Sequence, residues 1–448
     1  MPSNKFNRLF RILAWIFGVL FFVIMATLTK IDRRPYQEME YYQESLDRLD
    51  TLKLKQSKGS FWLAGWSKVN STPSTPVNLV GYKPRGKYEF VQDSSFIRSI
   101  VISNGKSQVA FLNYELMIVH PFLYHKIQER IKKERLPFDH IYFTATHTHS
   151  GIGGYMPGLL GKIAFGGYNK DVVSMLEEKT IQALQNALGK KDTVSILFQK
   201  TAADTLLSNR LIENDPVDPY VRQLILQKKS GQKATLLTYS AHSTIMNSKF
   251  MGLSGDYPNY LTGTMENNEY ELALFAAGTV GSHKPVAGGK EPQHVMNYAN
   301  SLYQYIQKSE ESITLIQGHD LGVADFPLAL RKAHYKIGKN VRLRPWVFNN
   351  LFGETNAHFD LILLGNTLLI SSSGEISGVF MESWEKYAND HGLNLIITCF
   401  NGGYIGYITP DEYYDEALYE VREMNWFGPY NGTYFDEIIR KFIDNVNK

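Results

Sequence analysis

Residues 141–155 read IYFTATHTHSGIGGY. Ile141 to Thr146 form a short run of β-branched and aromatic residues, the composition of a strand, and Gly151, Gly153 and Gly154 follow it as a loop in which the backbone can turn tightly. Similar apolar runs precede it at Ser99–Ile102 and Val109–Leu112, with a helix-like stretch through about Arg135 in between. Downstream, Val172, Met175, Leu176, Ala183, Leu184 and Ala187 recur at helical spacing, and Gly189 stands where a C-terminal cap is expected. Strand signals return at 233–240, 271–276 and 359–371, and the tail from Phe435 to Lys448 reads as helix. Strands alternating with helices in this way predict an α/β domain with a mixed central sheet, or sheets, flanked by helices.

The same stretch carries the first chemical signal. Side chains two apart in a strand share a face, so His147 and His149 are expected to converge where the strand ends. Neutral imidazole is the commonest metal ligand, and two on one face suit zinc or iron. Two polar residues on a solvated face would give the same pattern, so an HxH pair decides little by itself.

The 448 residues are 44% apolar and 20% charged, enough for a large core and unlike a disordered chain. The one cysteine, Cys399, excludes an intramolecular disulfide framework and a CxxC zinc site. Net charge is +3, but the first 34 residues alone carry +5 (Lys5, Arg8, Arg11, Lys30, Arg33 and Arg34 against Asp32), leaving −2 for the remainder. That balance argues against nucleic acid as a partner.

Residues 12–29, ILAWIFGVLFFVIMATLT, hold no charge over 18 positions. At about 1.5 Å per residue this is long enough to cross a bilayer with slight thinning or snorkelling. A cleaved signal peptide is the alternative, but Met25-Ala26-Thr27-Leu28-Thr29 is a poor small-x-small cleavage site. The expected organisation is therefore a cytoplasmic stub and transmembrane signal anchor (1–34), a polar helical stalk (35–60) and a catalytic domain (61–448). Basic residues flank both ends of the span, and the short stub favours a single-pass protein with its large domain outside the cytoplasm. The prolines of Asn70-Ser71-Thr72-Pro73-Ser74-Thr75-Pro76 mark a loop.

Further polar residues stand at ends of apolar runs: His242 in Ala241-His242-Ser243, Asp256 in Leu253-Ser254-Gly255-Asp256-Tyr257, Glu375 in Ser373-Gly374-Glu375, and Tyr407 in Gly403-Tyr404-Ile405-Gly406-Tyr407-Ile408-Thr409-Pro410. Taken singly, each fits a structural role such as a cap or a core polar group. Together with THTHSGIGGY, Ala64–Val69, Asn78-Leu79-Val80-Gly81-Tyr82, Asp93 and Arg98, they form a pattern that resembles the neutral (non-lysosomal) ceramidase family over most of residues 62–420. These are zinc amidases that cleave the N-acyl bond of ceramide.

The resemblance implies zinc ligands at His147, His242, Glu375 and Tyr407. It implies a substrate-side or proton-handling role for His149 and pocket roles for Arg210 and Tyr419. The expected protein is then a membrane-anchored zinc amidohydrolase whose partner is a lipid substrate in the bilayer. The alternatives are a related hydrolase of another lipid amide or ester, and a non-catalytic lipid-binding member. One departure bears on this choice. After Phe275-Ala276, the gapless continuation Gly281-Ser282-His283-Lys284-Pro285 sets Lys284 where the family has a serine, which makes Lys284 a candidate site residue controlling substrate choice. A second departure is length: the family usually continues into an immunoglobulin-like domain, which is not expected here. The apolar, glycine-rich loop from Met156 to Tyr168 is a candidate acyl-chain contact.

Overall fold

The strand announced by IYFTAT runs over His140–Ala145 and pairs in parallel with Gln108–Tyr114. The computed structural model describes residues 3–82, 84–309, 312–353 and 355–446. Its helices are α1 (Ser3–Thr27), α2 (Glu40–Thr51), α3 (Pro121–Lys133), α4 (Gly158–Ala164), α5 (Lys170–Gly189), α6 (Asp256–Asn268), α7 (Pro292–Lys308), α8 (Pro345–Phe352), α9 (Met381–Asp390), α10 (Tyr419–Arg422) and α11 (Asn431–Val446).

A nine-stranded sheet runs in the order Leu272–Ala277, Lys233–Tyr239, Tyr220–Lys228, Asp192–Ala202, Trp62–Asn70, Phe96–Ser103, Gln108–Tyr114 and His140–Ala145, with Thr314–Leu315 also paired to Asp192–Ala202. Its first and last pairs are parallel and the rest antiparallel. The two parallel pairs are crossovers through α6 and α3, as parallel strands require. A five-stranded sheet follows the order Lys55–Lys58, Asp320–Pro327, His358–Leu364, Thr367–Ser372, Asn394–Cys399.

The two sheets pack face to face. Trp62, Ile100, Phe111 and Leu274 of the larger meet Leu321, Ile362, Leu369 and Ile396 of the smaller in one buried cluster. Helices α5, α6 and α7 lie against the larger sheet, and α9 against the smaller. α11 packs on α9 and presents Phe435, Ile438, Ile439, Phe442 and Ile443, every third or fourth residue, to the core. Strands such as Leu272–Ala277 are buried on both faces and accordingly read as unbroken apolar runs. The expected mixed α/β architecture is therefore present.

The larger sheet also curls. The buried Asn113 amide donates to the Phe275 carbonyl at 2.8 Å, tying the strand next to one edge to the strand at the other. The carboxyl ends of His140–Ala145 and Lys233–Tyr239, remote in sheet order, thereby come together.

Several local expectations change. Residues 35–60 contain the expected helix, but they do not stand off as a stalk. Tyr41, Ser45 and Leu49 of α2 are buried, the Tyr434 hydroxyl bonds Ser45 Oγ at 2.6 Å, and Lys55–Lys58 is an edge strand of the smaller sheet. The apolar residues of α2 are sparse but fall on one face, and one narrow stripe is enough to dock a helix. The run 359–371 is a hairpin, His358–Leu364 and Thr367–Ser372, turning where Gly365 has φ +56°. Gly189 is the last helical residue, not the cap beyond it.

α1 is apolar from Phe6 to Thr27, 22 residues with none buried, by length and composition able to cross a membrane. Leu28 and Thr29, read in sequence as the end of the span, belong instead to a strand, Leu28–Lys30, paired antiparallel with Val341–Leu343.

Candidate metal centre

The histidines sit in loops that leave the carboxyl ends of strands, the usual place for sites in α/β folds, and Glu375 and Tyr407 stand side by side in a short parallel pair, Glu375–Ile376 with Tyr407–Ile408. His147 and His149 do converge, but the strand pleat is not the cause. The strand ends at Ala145, and His147 adopts φ +62°, a left-handed conformation uncommon for a residue with a side chain. The turn holds because it is stitched on all sides. Ser243 Oγ donates to the Thr146 carbonyl (2.7 Å), Thr148 Oγ1 to the Ser254 carbonyl (2.7 Å), and the Ser254 amide to the Ser150 carbonyl (2.9 Å). Asp93 in turn accepts from Ser254 Oγ (2.5 Å) and the Gly255 amide (2.7 Å). The Ser-Gly-Asp segment and Asp93 thus act as a clamp on the histidine loop.

Three imidazoles point at one spot. His147 Nε2 lies 2.8 Å from His242 Nε2, and His149 Nε2 lies 3.3 and 3.2 Å from those of His147 and His242. Each Nδ1 faces a backbone carbonyl: Met117 at 2.7 Å for His147, Gly81 at 2.7 Å for His149 and Val280 at 3.2 Å for His242. The ring proton therefore belongs on Nδ1, and all three Nε2 atoms present lone pairs to one another. Lone pairs facing at these distances repel unless a cation lies among them.

Burial, with His147 next, pushes His149 down to about 3, and burial followed by Arg210 holds His242 well below the ordinary imidazole range. Both rings are thus neutral, and able to bind a metal, at pH 7.

Glu375 Oε2 stands 3.4 Å from His147 Nε2 and is a buried oxygen without a hydrogen-bond partner. Its other oxygen accepts from the Tyr404 hydroxyl at 2.5 Å. Burial raises the Glu375 carboxyl, yet the polar groups around it, the Tyr404 hydroxyl among them, outweigh it and hold the group at about 2. The phenols of Tyr404 and Tyr407 are pushed up, first by burial and then by Glu375. The inward lone pairs of His147 and His242, 2.8 Å apart, beside the orphaned carboxylate oxygen of Glu375 are a donor set that fits a divalent metal.

Arg210 reaches the same place from another direction. Leu207–Asn209 pairs with His283–Pro285, aligning Lys284 with Ser208, and the Arg210 amide donates to the Ser282 carbonyl. Arg210 Nη2 donates to the Tyr407 hydroxyl at 2.9 Å, and Nε lies 3.0 Å from Glu420. Lys284 is exposed and lines a polar groove with Arg210, Glu213 and Asp215. Ser282 faces away, its hydroxyl buried against Ser377 Oγ (2.7 Å) and the Gly378 amide. The Tyr419 ring is 6.5 Å from Tyr407 and half exposed.

His147, His149, His242, Glu375, Tyr407, Arg210, Lys284 and Tyr419 therefore lie in this centre or beside it, whereas Asp256 stands at the start of α6 and accepts from the Met246 and Tyr257 amides. His149, expected on the substrate side, is also part of the imidazole cluster, though solvent reaches it while His147 and His242 are buried. Sequence reasoning missed Tyr404, Glu420 and Arg85, whose guanidinium donates to the His149 carbonyl at 2.6 Å. Tyr404 was in plain view three residues before Tyr407. Gly81 (φ +112°) is also explained, because a Cβ there would sit 2.4 Å from His149 Cα. A second group, Asp325, His358 and Asp360, lies on the smaller sheet with Asp325 exposed.

A pH prediction follows from the buried imidazoles. His149 and His334 are held down to about 3 and His120 to about 4, chiefly by burial. Their unfolded counterparts take up protons near pH 6.5, so stability is fully present above pH 6.5 and is lost progressively as pH falls from there to the folded values. Urea denaturation should give clearly lower stability at pH 5 than at pH 7.5, and His334→Gln should flatten the difference. Equal stability at both pH values would refute it.

Residues 62–290 match the family described as "Neutral/alkaline non-lysosomal ceramidase, N-terminal". Among solved structures, the chain is similar to neutral ceramidase from Pseudomonas aeruginosa, with a TM-score of 0.73 and 14% identity over 86% of this chain and 74% of that one. It is also similar to a ceramidase complexed with C2, with a TM-score of 0.71 and 14% identity over 86% and 75% of the two chains. A comparison with curated proteins gives no match.

Proposed function

Because this chain belongs to the neutral/alkaline non-lysosomal ceramidase family, we propose that it is a membrane-anchored, zinc-dependent amidohydrolase that cleaves the N-acyl amide of ceramide or a ceramide-like lipid. The observation that carries this reading is the convergence of three imidazole Nε2 atoms beside the unpartnered oxygen of Glu375. His147, His242, Glu375 and Tyr407 are the residues to hold zinc, with His149 facing the substrate. Zinc in such a site activates water at neutral pH and polarises an amide carbonyl.

The chain's own groups do the rest. The carbonyls of Met117 and Val280 fix His147 and His242 in one tautomer and orientation. His149, with its Nδ1 proton committed to Gly81, takes up or releases a proton at Nε2 alone, the atom from which a proton is passed to the leaving amine. Arg210, held by Glu420, orients the Tyr407 hydroxyl and supplies positive charge where the carbonyl oxygen becomes negative. Water adds to the carbonyl carbon, the C–N bond breaks, and the products are a fatty acid and a free amine.

α1 is proposed as an uncleaved single-pass anchor with the domain outside the cytoplasm. In support, the strand Leu28–Lys30 follows the helix directly and is paired into the domain, so removal of the segment through residue 29 would take most of that strand with it. Lys284, beside Arg210 in the polar groove, favours a second substrate class, N-acyl lipids with an anionic head group.

The test is hydrolysis of plain and anionic N-acyl lipids by the full chain, followed by mass spectrometry. Fatty acid and free amine should appear, vanish with a chelator and return with zinc. A zinc-replete chain that leaves every such lipid intact would refute the reading.

A further inference from the structure

The junction between α1 and the domain is rigid. A helix leaves its last carbonyls without intrahelical partners. Here the domain supplies them: the Arg344 amide donates to the Thr27 carbonyl (2.7 Å), Arg344 Nε to Met25 (3.1 Å) and Trp346 Nε1 to Ala26 (3.1 Å). The chain then enters the ladder between Leu28–Lys30 and Val341–Leu343 with no slack in between. The start of α8 is therefore fixed at the level where the apolar helix ends.

That level carries an unusual surface. Trp346 and Leu351 on α8, Leu159 and Ile163 on α4, and Ile337 and Val341 at the strand pairing with Leu28–Lys30 are all exposed, Trp346 by 54% and Leu159 by 58%. α4 and α8 contact each other. Met156, Leu160, Phe165, Phe352 and Trp426 pack there around a closed apolar pocket of only about 30 Å³, which Tyr404 also lines. The Tyr404 hydroxyl reaches Glu375.

Resting on the reading of α1 as a membrane span, we infer that the α4–α8 face lies on the phospholipid leaflet that receives α1. The seam between these helices is then the port, which must open to pass an acyl chain from the bilayer to the site. Water is a poor environment for large apolar side chains exposed on α4, on α8 and beside the strand that follows α1, whereas the bilayer interface accepts them and favours tryptophan in particular. The rigid junction leaves no freedom to turn this face away. Lipid thus enters from the apolar side, and the groove of Arg210 and Lys284 opens separately as the polar side.

The test uses the full chain in phosphatidylcholine vesicles. A bimane label at Ile163→Cys is compared with labels at Phe22→Cys in α1 and Ser230→Cys on an exposed turn, since Cys399 is buried. Nitroxide-bearing phosphatidylcholine should quench the labels at 163 and 22 and spare the label at 230. An unquenched label at 163 beside a quenched one at 22 keeps the span and overturns the proposal. Unquenched labels at both overturn both. In a second arm, Ile337→Asp, on the proposed lipid-facing surface but outside the port, should slow hydrolysis of one N-acyl lipid by about tenfold in vesicles and by no more than about twofold in detergent micelles, as for ordinary surface substitutions. Leu159→Asp and Ile163→Asp, at the port itself, should slow it in both settings. Full rates in both settings for Leu159→Asp and Ile163→Asp would overturn the port, and equal losses for Ile337→Asp would overturn delivery from the leaflet. Wild-type chain inactive in micelles as well as vesicles would count against the hydrolase reading, and with it the port, while the quenching arm still decides the membrane contact.

Discussion

His147→Ala and His242→Ala should each leave a folded chain that retains little zinc and hydrolyses its lipid at least ~1000-fold more slowly, equivalent to about 4 kcal/mol of lost transition-state stabilisation. Each removes one of two Nε2 lone pairs that lie 2.8 Å apart, and neither neighbour can replace it. His149→Ala should behave differently. Its ring is the solvent-reached member of the three, so zinc should stay near one per chain while the rate falls. Elemental analysis of the three purified variants reads this directly. Full zinc in the His147 and His242 variants would refute the ligand set, and loss of zinc in the His149 variant would move that residue into it.

The second large effect concerns stability. Arg98 and Glu115 form an ion pair in which both side chains are 1% exposed. Arg98 also bonds Thr262 Oγ1 (3.0 Å), and Glu115 accepts from Asn259 Nδ2 (2.8 Å) and the Phe96 amide (3.2 Å). Arg98→Met leaves the Glu115 charge buried without its partner, which should cost about 3–5 kcal/mol. Replacing both with Arg98→Met and Glu115→Leu should recover much of that loss, because the main penalty is the stranded charge. Urea denaturation curves for the single and double variants give the comparison. A loss below about 1 kcal/mol for Arg98→Met would show that the pair carries little stability.

This network also explains why Asp93 and Arg98 belonged to the pattern read from the sequence although neither touches the imidazoles in the structure. Asp93 holds Ser254 and Gly255, and through Asn259 the Arg98–Glu115 pair braces the start of α6. A motif reports that a residue is required without saying whether it reacts or supports. Tyr404 illustrates the reverse case. It lies within the quoted Gly-Tyr-Ile-Gly-Tyr run, yet nothing in its spacing separates a tyrosine that bonds Glu375 from one that fills the core.

What the sequence determined by itself was local. Unbroken apolar runs gave buried strands, three-to-four spacing gave α5 and α11, and an uncharged stretch gave α1, because these depend on which face of an element meets water. The loop residues of the site were legible only together, as a pattern that resembles the ceramidase family, because each by itself fits a cap or a core polar group as well. Tertiary structure alone decided how these pieces meet. His147 and His149 converge through a left-handed turn held by Ser243 and Ser254, not through a pleat. His242 joins them because the larger sheet curls until Asn113 bonds Phe275, a contact between residues 162 positions apart. Residues 35–60 were absorbed into the core, and α1 was locked to α8 by Arg344 and Trp346, more than 300 positions away. Such contacts leave no periodicity in the chain. They are set by which buried surfaces and unpaired polar groups can be satisfied together, and that is resolved only when the whole domain closes.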